Sequence, residues 1–144
     1  MAIIQTIPLM DNPCVIDIMI DFADTQFRQA FGKPRSEISE TELYSLLQQR
    51  DVHHDSIRVM LNLLSRNKLT SLDKILCIHD MKLEPYYLHE GYGSEALEQL
   101  RDLNAMFKSP YEYMLCKPIN DLGLELAKRN RFEDVGHGYF GQEL

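Results

Sequence analysis

The chain opens on a short apolar stretch, residues 3–9 (IIQTIPL), in which Pro8 marks a strand end or a sheet edge. Asp11-Asn12-Pro13 follows: a capping side chain ahead of a proline, the composition of a helix start. Beyond it Ile16, Met19, Ile20, Ala23, Phe27, Ala30 and Phe31 recur at intervals of three and four, while Asp17, Asp21, Asp24 and Arg28 fall largely elsewhere. That spacing predicts an amphipathic helix opened by this cap and ended by Gly32 and Pro34. Ser39-Glu40-Thr41-Glu42 is a capping box for a second helix carrying Leu43, Leu46 and Leu47. Residues 56–64 read two ways. Ile57, Met60, Leu61 and Leu64 fit a helix face, whereas Ile57, Val59, Leu61 and Leu63 alternate as a strand would.

From Lys74 the period changes to two. KILCIHDMKL (74–83) alternates and is rich in branched apolar residues, which predicts a strand. The glycine-bearing loop YYLHEGYG leads into a helix from about Ser94 to Phe107, with Leu97, Leu100, Leu103 and Phe107 inward and Pro110 beyond its end. YEYMLCKPI (111–119) is a second strand closed by Pro118 and Asn120, and a shorter helix covers about Leu122 to Asn130. The tail EDVGHGYFGQEL is a final strand or hairpin with glycine bends. The strand–helix–strand order of residues 74–118 implies two parallel, neighbouring strands. The class is therefore α/β (α+β).

Length and charge narrow the functions open to this pattern. At 144 residues the chain is expected to form one domain, with no apolar run long enough to span a bilayer. The first residues lack the basic segment of a secretory signal, which points to the cytoplasm. Cys14, Cys77 and Cys116 are odd in number and far apart, which does not support a disulfide framework, and Cys77 and Cys116, within apolar runs that read as strands, are expected to be small buried hydrophobes. A net charge of −7 weighs against general nucleic-acid binding and suits a cationic substrate such as an amine. His53-His54 is a polar pair at a turn, without completing ligands nearby for a metal, and no metal cofactor is expected.

The chemistry concentrates at Gly91-Tyr92-Gly93-Ser94, where a strand turns into a helix. Glycines there let main chain approach an anion, and the first helical N–H groups point at it unpaired, with the helix dipole adding a favourable field. Glycines that merely shape a turn remain open as an alternative. The surrounding segment, Leu83-Glu84-Pro85-Tyr86-Tyr87-Leu88-His89-Glu90-Gly91-Tyr92-Gly93-Ser94, resembles the acetyl-CoA motif of the GNAT N-acetyltransferases. In that family a strand ending V-x-P precedes [QR]-x-x-G-x-[GA]. A later family segment, N-x-x-A-x-x-L-Y-E-K-x-G-F, is similar to the run from Asn120 through Leu126 and Phe132, followed by Glu133-Asp134-Val135-Gly136. The resemblance covers about residues 73–138.

It implies a GNAT-like mixed central sheet flanked by helices, with splayed parallel strands at about 74–83 and 111–118. Residues 73–144 would be the acetyl-CoA half of a single domain (1–144), and residues 1–72 a divergent helical half shaping the acceptor side. The pantetheine arm would bond main chain near Met81 and Leu83. The N–H groups of His89, Glu90, Gly91, Tyr92, Gly93 and Ser94 would hold the pyrophosphate, with Leu88 ahead of them and Asn120 at the second segment also at the cofactor. The partners implied are acetyl-CoA and an amine acceptor, with no nucleic acid and no membrane, and a homodimer is allowed. The candidate base is Asp80 or Glu84; His79 lies on the same strand, and alternation sets it on the opposite face from Asp80. For the acid, Tyr139 is the candidate, with Tyr111 and Tyr113 as alternatives.

Four positions depart from the family pattern. Leu88 stands at the Gln or Arg position, and Glu90 brings negative charge to the loop. Ala127 replaces the tyrosine that often protonates the leaving thiolate, and Arg131 replaces the glycine before the last phenylalanine. Leu88 and Ala127 motivate a second reading, a non-catalytic GNAT-fold module that binds CoA or a protein partner. A third is a regulatory protein with a helix-turn-helix over residues 39–69, although Arg50, Arg58, Arg66 and Lys68 are balanced there by acids.

Overall fold

The amino-terminal apolar residues pair with each other before any helix begins. In the computed structural model, which describes residues 2–48 and 54–144, β1 (Ile4–Ile7) runs antiparallel to β2 (Val15–Met19), with Ile4 opposite Met19 and Ile7 opposite Ile16. The helix expected from the Asp11-Asn12-Pro13 cap is thereby corrected. Its first turns are a strand because Ile16 and Ile18 alternate inward with period two, which outweighs the weaker three-and-four spacing. Asn12 does not cap a helix. Its Oδ1 accepts the Cys14 N–H at 2.8 Å, and its Nδ2 donates to the Tyr92 carbonyl at 3.0 Å. The helix that does form, α1 (Phe22–Phe31), ends at Gly32 in the left-handed region.

Ser39 caps α2 (Glu40–Leu47) by accepting the Glu42 N–H, as the capping box predicts. The ambiguous segment is helix α3 (Asp55–Ser65), burying Ile57, Val59, Met60 and Leu63 against one face of the sheet together with Phe22 and Phe27 of α1. The amino-terminal half therefore supplies the strand expected within residues 3–9 and, beyond it, the unexpected strand β2, as well as helices.

The remaining elements are β3 (Ile75–Lys82), α4 (Tyr92–Ala105), β4 (Tyr113–Cys116), α5 (Asp121–Arg129), β5 (Glu133–Gly136) and β6 (Tyr139–Glu143). Six strands form one mixed sheet in the order β1-β2-β3-β4-β6-β5, and β3 and β4 are its parallel pair. Five α-helices accompany it among the described residues. One face carries α1 and α3; the other buries Ile16, Ile18, Leu76 and Met114 against Leu97 and Leu100 of α4, with Ala127 and Phe132 beside them. Among the described residues no helix is long and apolar enough to cross a membrane.

Candidate functional site

The two parallel strands separate part-way along. β3 pairs with β4 from Ile75–Tyr113 to Ile78–Cys116 and no further, yet β3 continues to Lys82 with β2 as its partner on the other edge. The second strand is thus shorter than the expected 111–118. Pro118, which lacks an N–H, follows Cys116 by two residues and stops the ladder on that side. Beyond Ile78 the β4-facing edge of β3 is main chain without a strand partner among the described residues.

A bulge marks the same point. Asp17 lies opposite Asp80 while the next residue, Ile18, lies opposite Ile78, so His79 is an extra residue in β3. A bulge bends its strand and increases the local twist, which turns the end of β3 away from β4. It also corrects the expected alternation. Ile78 and Met81 both join the apolar cluster on the α4 face, so His79 and Asp80, between them, are both turned towards the α1–α3 side. Asp80 faces Asp17 across the strands, and Lys82 Nζ lies 3.6 Å from the one carboxylate and 3.8 Å from the other.

Between the separated strands and the first turns of α4 and α5 lies a cavity of about 340 Å³. Ile78, His79, Asp80, Met81 and Leu83 form one wall, and Cys116, Lys117, Pro118, Ile119 and Asn120 the other. Leu88, His89, Gly91, Tyr92, Gly93 and Ser94 close one end; Leu122, Leu126, Ala127, Arg129 and Phe132 floor it from α5 and the turn after it. The volume lies within the range of small-ligand sites, and the lining is largely apolar with a few polar groups.

The turn into α4 is built for exposed N–H groups. Pro85–Tyr87 makes one tight turn, His89 and then Gly91 take left-handed conformations (φ +67° and +84°), and α4 begins at Tyr92, two residues ahead of the expected Ser94. The first helical bond runs from the Glu95 N–H to the Gly91 carbonyl, and the N–H groups of residues 89–94 donate to no described residue. Gly91 supplies conformation. A side chain there would meet nothing within 4 Å, but a β-carbon at φ +84° is strained. Gly93 supplies close packing instead, since a β-carbon would stand 3.1 Å from Leu126 Cδ1. Asn130 Nδ2 donates to Ser94 Oγ at 3.0 Å, and Asn120 caps α5 by accepting the Gly123 N–H at 2.8 Å, so both helix starts are fixed beside the cavity.

Of the residues expected to hold a cofactor, Met81, Leu83, Leu88, His89, Gly91, Tyr92, Gly93, Ser94 and Asn120 line this one cavity, and Glu90 sits exposed beside it. Asp80 lines it; Glu84 is exposed outside it. Tyr139 is buried on the α1–α3 face, edge-on to Phe22, with Lys117 Nζ 5.3 Å from its ring centre. Tyr113 Oη donates to Glu133 at 3.0 Å, and Tyr111 packs on Phe107 at the end of β4 away from the fork; neither lines the cavity. Cys14 and Cys116 also line it, and burial pushes both thiols up, Cys116 to about 12. Neither cysteine was expected at a site, because Cys14 just ahead of β2 and Cys116 at the end of β4 carry no such signal in the sequence. Tyr87 and the α5 residues Leu122, Leu126 and Arg129 join the lining for a reason sequence does not express, the packing of α5 beside α4.

Elsewhere, His54 of the histidine pair is buried and tilted against Phe31, with ring centres 5.0 Å apart, and His53 lies outside the described residues. No group of three potential metal ligands occurs among the described residues. Comparison of the chain with family models, with curated proteins and with solved structures returned no match.

Proposed function

We propose that the fork is a site for acetyl-CoA and that the protein is a divergent GNAT-type N-acetyltransferase acting on an amine. The observation that carries this reading is the coincidence of three features on one cavity: strands parting after Ile78 and Cys116, an unpaired edge of β3, and free N–H groups at residues 89–94. A diphosphate fits the helix start, where main-chain donors and the dipole favour negative charge. An extended amide-bearing arm fits the free edge of β3 as an added strand does. Glu90 costs about 1 kcal/mol or less at its exposed position.

Arg131 adds independent support. The resemblance puts it where the family has glycine, and its φ is +64°, a conformation glycine enters without strain. The backbone therefore keeps the shape that the glycine of the pattern serves, although the residue has changed.

In the proposed reaction a neutral amine attacks the thioester carbonyl at the fork. A C–N bond forms, the C–S bond breaks, and a main-chain N–H near Met81 to Leu83 stabilises the oxyanion meanwhile. His79 and Asp80, both turned to the α1–α3 side, are the candidates to take the ammonium proton from an acceptor arriving on that side. At the expected acid position Ala127 offers no proton, and the departing thiolate takes, through water, the proton that the attacking nitrogen sheds as the amide forms.

A second reading, a non-catalytic module that binds CoA, is favoured specifically by Leu88 and Ala127, which bring no polar group to the cavity they line. Thiol release from acetyl-CoA across a broad panel of primary amines separates the two. Release above the uncatalysed rate supports the enzyme; saturable CoA binding without release supports the module; no binding of CoA removes both.

A further inference from the structure

We infer that Tyr86, Tyr87 and Tyr92 form an aromatic shelf for the purine base of a nucleoside diphosphate whose phosphates lie on the start of α4. The inference rests on the acetyl-CoA reading for the source of that nucleotide, but the shelf is a separate observation. Tyr86 is 84% exposed although it is a large aromatic, held at a fixed place in the turn begun by Pro85. Its ring meets Tyr87 at 5.2 Å and 86°, and Tyr87 meets Tyr92 at 5.7 Å and 84°. Tyr87 and Tyr92 line the cavity, so the chain of rings runs from the cavity wall out to solvent. Each contact is edge-to-face and not stacked, and Tyr86 at the outer end of the chain is exposed, so its ring is open to a flat ligand.

Position selects the occupant. The shelf adjoins the free N–H groups of residues 89–94, so a ligand with phosphates there carries its next group towards the rings. A purine is flat, and stacking on tyrosine needs no hydrogen-bond partner of its own. Residues 83–100 contain no Lys or Arg, so nothing on this stretch recognises an additional ribose phosphate. The base, not the 3′-phosphate, is what the shelf contributes.

The test is calorimetric titration of the full chain with CoA, dephospho-CoA, 4′-phosphopantetheine and ADP, repeated for Tyr86→Ala and Tyr86→Phe. CoA and dephospho-CoA are expected to bind alike, and about tenfold more tightly than phosphopantetheine. Tyr86→Ala is expected to erase that advantage without changing phosphopantetheine affinity, and Tyr86→Phe to keep it. Equal binding of CoA and phosphopantetheine by the native protein would overturn the shelf, as would a Tyr86→Ala loss shared by every ligand. ADP binding as tightly as CoA, and weakened by Tyr86→Ala, would support the shelf while assigning it to a free nucleotide, which contradicts the acetyl-CoA reading alone. Absence of binding by all four ligands overturns both.

Discussion

Ile78 and Cys116 form the last rung between the two parallel strands. One residue later β3 bulges at His79, and two residues later β4 meets Pro118. One strand thus bends while the other loses its donor, and the cavity opens between them. The interruption is built into both strands, which is why the fork belongs to the fold and does not depend on a ligand to pry it open.

The left-handed Arg131 gives a test of the backbone at the far end of the cavity. A non-glycine residue at φ +64° carries a strain of roughly 1 kcal/mol that glycine avoids. Arg131→Gly is expected to leave stability unchanged or to raise it by up to about 0.5 kcal/mol, since glycine's larger unfolded-state entropy offsets most of the relief. Urea denaturation measures it. A loss of 1 kcal/mol or more would mean that the Arg131 side chain contributes something the backbone argument omits.

At the other end, Gly91 needs its φ of +84° and has open space around it. Gly91→Val is expected to destabilise the fold by about 1–3 kcal/mol through conformation, since no clash awaits the side chain. It should also remove any thermal shift produced by CoA. Differential scanning calorimetry with and without CoA reads both effects. Retention of a full shift would show that the shape of this turn is not needed for binding.

How much of this was legible in the sequence depended on whether a single period ruled each segment. Residues 74–83 alternate cleanly and α4 carries a clear leucine stripe, so the strand–helix–strand unit and its parallel pair were readable. Residues 15–31 hold two patterns end to end. The alternation of Ile16 and Ile18 was absorbed into the longer three-and-four spacing of α1, and Asn12 looked like a cap when it was tying the first loop to Tyr92. Most of the residues expected at the loop gather on one cavity because they are close in sequence. Asp80 was expected opposite His79, and only pairing with β2 reveals the bulge that puts them on one side. Tyr139 offers a phenol, but nothing in the sequence around it shows that it faces the α1–α3 side.

The buried thiols make the fold sensitive to alkali. Cys77 is pushed up to about 12 by burial, with Cys116 nearby as a lesser cause, and burial does the same to Cys116. A thiol whose folded value exceeds its unfolded value near 8.5 contributes stability that is complete below that pH and is lost as pH rises towards the folded value. Unfolding free energy is therefore expected to fall between pH 8.5 and 10.5, by roughly 1–2 kcal/mol per thiol at pH 10. Cys77→Ala should flatten the decline. A profile flat from pH 8 to 10.5 in the native protein would mean that the thiols are not held in an apolar setting.

Asp80 offers the sharpest kinetic test of the proposed reaction. Asp80→Asn is expected to lower turnover with any active amine about 10²–10⁴-fold while leaving CoA affinity unchanged. Titration calorimetry and steady-state kinetics on the same variant make the comparison. A rate loss in His79→Gln with none in Asp80→Asn would transfer the role to the histidine.

The binding of CoA in the fork is tested most directly by titrating CoA into uniformly ¹⁵N-labelled protein and following the amide spectrum. The largest shifts are expected at the N–H groups of His89 to Ser94 and on the free edge of β3 from His79 to Leu83, with β1 and α2 silent. Saturating CoA that leaves those amides unmoved, or that moves only amides remote from Ile78 and Cys116, would contradict it.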